Sequence, residues 1–303
     1  MLQLHLLELA KKQLPNLNLE SKEDIIKIEK ILKSEAKLGN HVNLNDVEHL
    51  LSFLKNYGAR FMPILSQKNI EIIIKGNGDF INPIPFKSNG INEETLFDFQ
   101  EIFEANVYNY LNQCIKLNSW NSLKNVFVHY PFLISDYTKE KIYQTLSLKN
   151  EATISAIDNN QYIEFSNANS YSCDVSYYTA LSAIEPHYFD DDILTINNLI
   201  SKKQRNTKER LYFLGRILYA ITFFEAYSDD LRNTLSSNQD IAYSWMNPNH
   251  QQKEAPMSTT NIIIMVITGV VILGVLIAVP GTSGAAFGLG IFIIRMIFAL
   301  RKR

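Results

Sequence analysis

The chain has 303 residues, of which 46% are hydrophobic and 20% are charged, and this globular composition excludes disorder throughout. All 31 acidic residues precede Met257, whereas four of the 29 basic residues follow it, so residues 1–256 have a net charge of about −6. A net-acidic chain lacks the clustered Lys and Arg that hold a phosphate backbone, which argues against nucleic acid as a partner. Cys114 and Cys173 form neither a disulfide framework nor a zinc motif, which favours a reducing cytoplasm.

The beginning of the chain is predicted to be helical. Apolar residues recur at roughly helical spacing as far as Pro15, and Glu8 within this run argues against a secretory signal. Two further helices are predicted, with Gly39 and Gly58 as their stop signals. We therefore expect three helices before residue 60.

Two short segments are predicted to be β-hairpins, because runs rich in isoleucine flank clusters of turn residues. The first pairs residues 69–75 with 79–81 across Gly76-Asn77-Gly78, and an extended stretch with Pro83 and Pro85 follows. The second pairs residues 153–157 with 161–165 across Asp158-Asn159-Asn160. The other periodic segments predict helices over 92–117, 120–130, 137–148, 175–184, 192–203 and 207–235.

The predicted fold class is α+β, with a helix-dominated cytoplasmic part that carries small β-hairpins and a C-terminal transmembrane helical hairpin. The helix-rich part covers residues 1–246, as one domain or as two divided near 88–92. Residues 247–260 contain two prolines and several amides without apolar periodicity, and this composition predicts a flexible tether.

Residues 261–303 are predicted to form the membrane hairpin. The run from Ile262 to Val279 has no charge in 18 residues. At ~1.5 Å per residue it is about 27 Å long, close to the roughly 30 Å of bilayer hydrocarbon. A second apolar run follows an uncharged turn, and the basic residues near its end predict a cytoplasmic terminus under the positive-inside rule; these are Arg295, Arg301, Lys302 and Arg303. A single span is the alternative, but it would export the rest of the chain without a signal.

Small residues in the second apolar run are candidates for membrane-helix packing. Gly284 and Gly288 form a GxxxG motif, and Ala286 with Gly290 repeats the small-residue spacing on a neighbouring face. Small side chains let helix backbones approach closely in lipid. Two interpretations remain open: a homo-oligomer formed through the hairpin, or packing between the two helices of one hairpin.

No catalytic, cofactor-binding or metal-ligating set is predicted. Gly76-Asn77-Gly78 lacks the helix that a phosphate loop needs, and Asp190-Asp191-Asp192 is interpreted as a cap for a helix that starts near Ile193. No two of the six histidines are spaced three or four residues apart, as two metal ligands on one helix would be.

Two further features have a functional and a structural interpretation. Cys173 with His129 or His187 is the one conceivable thiol nucleophile and base, but no local motif surrounds the cysteine. The densest basic stretch of the helix-rich part, residues 201–210, could contact acidic lipid headgroups, and we interpret it as a solvated connection between helices.

The predicted function is that of a membrane-anchored cytoplasmic docking or scaffold protein. It would bind a protein partner at a bacterial inner membrane, in an envelope or secretion assembly, with the lipid bilayer as its other partner. A membrane-disrupting effector of an antiphage or toxin system, oligomerising through the hairpin, is the first alternative. A membrane-bound enzyme is the second, although the sequence favours a non-enzymatic role without cofactors.

Overall fold

A computed structural model of the protein describes residues 5–15, 18, 21–39, 42–88 and 90–247. Residues Met1–Met246 form one compact unit. The described parts of this unit contain twelve α-helices and two short 3-10 helices, and no strand. The α-helices are α1 (His5–Gln13), α2 (Lys22–Lys37), α3 (Leu44–Leu65), α4 (Lys68–Lys75), α5 (Glu93–Lys116), α6 (Trp120–His129), α7 (Asp136–Asp158), α8 (Tyr162–Ala168), α9 (Val175–Ile184), α10 (Pro186–Lys202), α11 (Lys208–Ile221) and α12 (Asp229–Met246). The 3-10 helices are Pro131–Leu133 and Ser170–Cys173.

The predicted fold class, α+β with a transmembrane hairpin, is wrong. The described residues contain no strand. None of their helices is long and apolar enough to cross a membrane. The hairpin assigned to 261–303 and nearly all of the tether assigned to 247–260 lie outside the described residues.

The first predicted β-hairpin is a helix followed by an irregular segment. Ile70, Ile73 and Ile74 are buried on one face of α4, at the i, i+3, i+4 spacing of a helix. Gly76 ends α4 in the left-handed conformation, with φ of 73°. The β-branched composition of 69–75 suggested a strand, but burial of one helical face outweighs that weak intrinsic preference.

The second predicted hairpin is also helical. Residues 153–157 belong to α7, which continues to Asp158, and residues 162–165 belong to α8. Thr153, Ala156 and Ile157 are buried at helical spacing. The turn residues between the two runs are real, because Asn160 has a positive φ of 58°, but they connect two helices and not two strands.

Several predicted helices are confirmed, and others have different limits. The α1, α2, α5, α6 and α9 helices lie where the sequence predicts them. The third helix does not stop at Gly58 but continues through Pro63 to Leu65. The single helix predicted over 207–235 is divided by residues 222–228 into α11 and α12.

One hydrophobic core runs through the described part of the unit, from Leu6 in α1 to Ala242 in α12. An aromatic cluster on α3 and α5 fills its first half, where the Phe61 ring lies edge-on to Phe99 at 5.2 Å. A second cluster joins α6 to α9, where the Trp120 and Tyr177 ring centroids are 4.8 Å apart. These two clusters fix the helices that hold the two sites described next.

Candidate functional site

The connection between α4 and α5 carries a segment without helix or strand, residues 79–87, which we call the strap. Gly78 precedes it with φ of 75°, and a Cβ atom there would lie 2.8 Å from the Gln113 side chain. A glycine is therefore required there by both backbone conformation and space. The strap then runs along α6, with the Phe86 amide donating to the His129 carbonyl at 3.4 Å.

Polar side chains from the helices bind the backbone of the strap in its middle. The buried Ser122 Oγ accepts from the Ile81 amide at 3.3 Å, and the buried Asn125 Nδ2 donates to the Ile81 carbonyl at 3.1 Å. These bonds satisfy the amide and the carbonyl of Ile81, as a neighbouring strand would do in a sheet. The same two side chains on α6 thus fix the position of residue 81.

Three more side chains hold the two ends of the strap. Tyr110 Oη donates to the Asp79 carbonyl at 2.6 Å, and Tyr130 Oη donates to the Ile84 carbonyl at 2.5 Å. Gln67 Nε2 donates to the Lys87 carbonyl at 2.9 Å, and Gln67 Oε1 accepts from the Lys87 amide at 3.1 Å. The strap is therefore held by side chains from α5, α6 and their neighbours along its whole length.

Two large apolar side chains of the strap project into solvent. Phe80 is 63% exposed and Ile84 is 52% exposed. A cavity of about 190 Å³ lies beside Ile84, with Asn69, Tyr130 and two lysines among its lining residues. Lys68 and Lys87 are both exposed, and neither forms an ion pair within the described part of the chain. A hydrogen-bonded backbone thus presents two exposed apolar side chains, of which Ile84 lies beside two lysines.

A second cluster surrounds Lys149 on α7. Its Nζ lies 4.1 Å from the ring centroid of Tyr171 and 5.7 Å from that of Trp120, which places the cation against two aromatic faces. Burial lowers the pKa of Lys149. The buried Trp120 Nε1 has no hydrogen-bond partner within the described residues. Within the same part of the chain, Lys149 has no ion-pair partner either.

The thiol and imidazoles considered from the sequence do not form a catalytic set. The Cys173 Sγ lies 3.8 Å from Ser172 Oγ, and no hydrogen bond joins it to either histidine among the described residues. The His187 ring packs edge-on to Tyr227 at 5.0 Å, and the His129 backbone binds the strap. The contacts of the described residues therefore give no support to a thiol nucleophile with a histidine base.

The interpretation of the three consecutive aspartates as a cap for a helix near Ile193 is wrong. Because α10 begins at Pro186, they lie inside it and not ahead of Ile193. Asp190 accepts from the amides of Tyr227 and Ser228, at 3.1 and 2.8 Å, just before α12 begins. Asp192 instead accepts from Ser147 and Asn150. The described residues contain no group of three acidic, Cys or His side chains placed to hold a metal.

The other predicted features are placed as follows. In the basic stretch, Lys203 Nζ donates to the Asp158 carbonyl at 2.7 Å, and the Arg205 guanidinium lies 4.6 Å from the Trp245 ring centroid. The predicted membrane residues lie outside the described part of the chain; these are Gly284, Ala286, Gly288, Gly290, Arg295, Arg301, Lys302 and Arg303.

The sequence predicted a stretch outside helices around Pro83 and Pro85, but neither the side chains that hold the strap nor the environment of Lys149. These two prolines marked the irregular segment. Asn69, Ser122 and Asn125 are polar residues on the buried faces of helices, and such residues could have indicated that a helix binds the backbone of another segment. Lys149 has no acidic residue three or four positions away, the one local sign that it lacks an ion pair.

Comparison with known protein families, with curated proteins and with solved structures finds no match to this chain.

Proposed function

We propose that the protein is a docking protein that binds a partner through the strap. The observation that carries the proposal is the exposure of Phe80 and Ile84 on a backbone that the helices hold in place. Large apolar groups fixed in one conformation bind a partner at little entropic cost, and aromatic residues are enriched where proteins meet.

The charge beside the strap indicates which partner would fit. Two lysines, Lys68 and Lys87, line the cavity next to Ile84, and none of its described lining residues is acidic. Because residues 1–256 are net acidic, a local positive patch stands out from the surrounding potential. The proposed partner is therefore a protein segment with an acidic side chain next to an apolar one.

The strap's backbone offers few donors to a partner. The amides of Ile81 and Lys87 are bonded to side chains, and Pro83 and Pro85 have no amide hydrogen. We therefore expect recognition mainly through side chains rather than through an added strand.

A photo-crosslinking amino acid at position 84 tests the proposal in cells. A matched position is Ile241 on α12, which is 45% exposed but lies in another element. We expect one dominant protein crosslink from position 84 and none from position 241. Lys68→Glu with Lys87→Glu should abolish that crosslink, whereas Lys208→Glu, an exposed lysine at the start of α11, should not. Equal crosslinking from both positions, or insensitivity to the charge reversal, would refute docking at the strap.

The finer localisation, at the cytoplasmic face of a bacterial inner membrane, belongs to this proposal and rests on sequence alone. Its support is the uncharged run 262–279, outside the described residues. Fractionation of the full chain tests it, because recovery in a high-speed supernatant would contradict membrane placement. No described contact favours the effector or the enzyme over docking.

A further inference from the structure

Lys149 is a cation that lacks a counter-ion among the described residues. It lies half-buried on α7, and no carboxylate pairs with it within the described residues. The faces of Tyr171 and Trp120 attract the ammonium but do not neutralise its charge. A partly desolvated charge interacts more strongly with a counter-ion than a hydrated one, so this position favours an anionic ligand.

A second donor without a partner lies beside the lysine. The Trp120 side chain is 1% exposed, and its Nε1 donates no hydrogen bond to any described group. Most buried donors in proteins are hydrogen bonded, so the indole N–H near Lys149 is a second donor open to an acceptor. Both groups are donors, and a carboxylate offers acceptor oxygens to such groups.

An open groove of about 640 Å³ between α7 and α8 starts one helical turn beyond Lys149. Its α7 wall includes Ala152 and Ala156, which share a helix face with Lys149. On the other side stands Phe165, whose ring meets Tyr171 edge-on at 6.1 Å. Small alanine side chains allow close approach of an extended backbone along this groove.

The polar lining of the groove suits a peptide. Asn160 and Gln161 are exposed at its rim, and neither side chain forms a hydrogen bond within the described part of the chain. Side-chain amides offer both a donor and an acceptor, as a peptide backbone requires. Among the described lining residues Glu164 alone is charged, and it disfavours an acidic residue in the bound segment.

We propose that this groove binds a peptide by its free C-terminal carboxylate. The carboxylate accepts from Lys149 Nζ, and the preceding residues lie along the α7–α8 groove. Capture of a terminal carboxylate is a general mode of peptide recognition. The site is independent of the strap and uses none of its residues.

The two tryptophans of the protein provide a direct test. Full-length protein labelled with 5-fluorotryptophan gives one fluorine resonance for Trp120 and one for Trp245, assigned with Trp245→Phe. The probe is N-acetyl-trialanine with a free carboxylate, and its control is the same peptide as a carboxamide. We expect a saturable shift of the Trp120 resonance, no shift of Trp245, and carboxamide binding weaker by about tenfold or more.

Variants at Lys149 assign the effect to the ammonium. Lys149→Met keeps an unbranched side chain without charge and should bind the carboxylate and the carboxamide equally weakly, whereas Lys149→Arg should retain the preference. Thermal unfolding checks that both variants are folded. If one variant is not folded, the comparison of the carboxylate and carboxamide titrations of the wild type still tests the proposal. Equal binding of both peptides by the wild type would overturn the proposal, as would inorganic phosphate that shifts Trp120 with the same affinity as the peptide carboxylate.

Discussion

At the scale of single residues, Tyr130 connects the strap to the helices. Its hydroxyl donates to the Ile84 carbonyl and accepts from the buried Asn69 Nδ2 at 2.8 Å. One oxygen therefore satisfies both a piece of irregular backbone and a buried amide. Burial raises the pKa of Tyr130, so the hydroxyl keeps its proton and remains a donor at neutral pH.

We expect Tyr130→Phe to destabilise the protein by about 1–3 kcal/mol, because it leaves the Ile84 carbonyl and the Asn69 amide without this partner. Urea unfolding measures the difference. Tyr137→Phe is the control, since Tyr137 is 63% exposed and its ring contact with Lys141 survives the change. An equal stability for the two variants would contradict the structural role of the Tyr130 hydroxyl.

The two thiols should differ in reactivity. Cys114 is fully buried, and burial raises its pKa to about 12, whereas Cys173 is partly exposed. Because the thiolate is the reactive form, Cys114 should resist iodoacetamide in the folded protein even at pH 9. Mass spectrometry should find alkylation at Cys173 alone in buffer and at both cysteines in urea. Native alkylation of Cys114 would show that this part of the core opens readily.

At the scale of elements, α11 and α12 pack closely against each other. A Cβ atom at Gly215 would lie 2.9 Å from Trp245 Cβ and 3.2 Å from the Ala242 carbonyl oxygen. Neither atom can rotate away, so the helices can stay this close only with glycine at that position. Ala242 is itself fully buried in the same interface.

Gly215→Ala should therefore destabilise the protein. Alanine improves helix propensity by up to ~1 kcal/mol, but overpacking at a contact of this kind costs about 1–3 kcal/mol. We expect a net loss of stability in urea unfolding. Glu209→Ala on the exposed side of α11 is the control and should change stability little. A more stable Gly215→Ala variant would mean that α12 can move away from α11.

A small charge network joins α2 to α3. Glu29 contacts Lys33 at 2.7 Å within α2 and Lys55 of α3 at 2.9 Å. Hydrogen bonds to these two lysines lower the pKa of Glu29 to about 2. Because the pKa is depressed in the folded state, this stabilisation is present above the unfolded pKa of roughly 4.3 and is lost as the pH falls towards 2.

Glu29→Gln should lower stability at pH 7 by less than about 1 kcal/mol, since the partly exposed lysines are screened by solvent. The difference from the wild type should disappear near pH 2 and shrink in high salt. Unfolding at pH 7, 4 and 2 measures it. Glu151→Gln, an exposed position without an ion pair in the described region, is the control. A constant difference across this pH range would exclude the ionic origin.

At the scale of the whole molecule, periodicity predicted most helices but not where the chain leaves them. The faces of α2 and α5 follow from their apolar spacing and from Asn92, whose side chain accepts from the Thr95 amide. The spacing of Ile70, Ile73 and Ile74 was compatible with a helix as well, but the short isoleucine run was interpreted by composition. Local pattern cannot distinguish a helix from a strand in so short a run, because burial against α5 determines its conformation.

The two candidate sites could not be predicted from local sequence pattern, for a different reason. The strap depends on side chains that are distant in sequence, such as Asn69 and Asn125, which meet it only after the helices pack. Lys149 gains its environment from Trp120 and Tyr171, which come from different helical elements. Tertiary contacts of this kind leave no spacing signature.

The strap has a consequence for how this protein could change its preferences. The bonds that hold it reach its backbone, whereas Phe80 and Ile84 contribute mainly exposed side chains. Substitutions at these two positions should therefore change the free energy of unfolding very little, while they change which partners the surface binds. The two positions could then be varied together in a combinatorial library to change binding specificity. Positions in a packed core do not allow this, because substitutions there destabilise the fold.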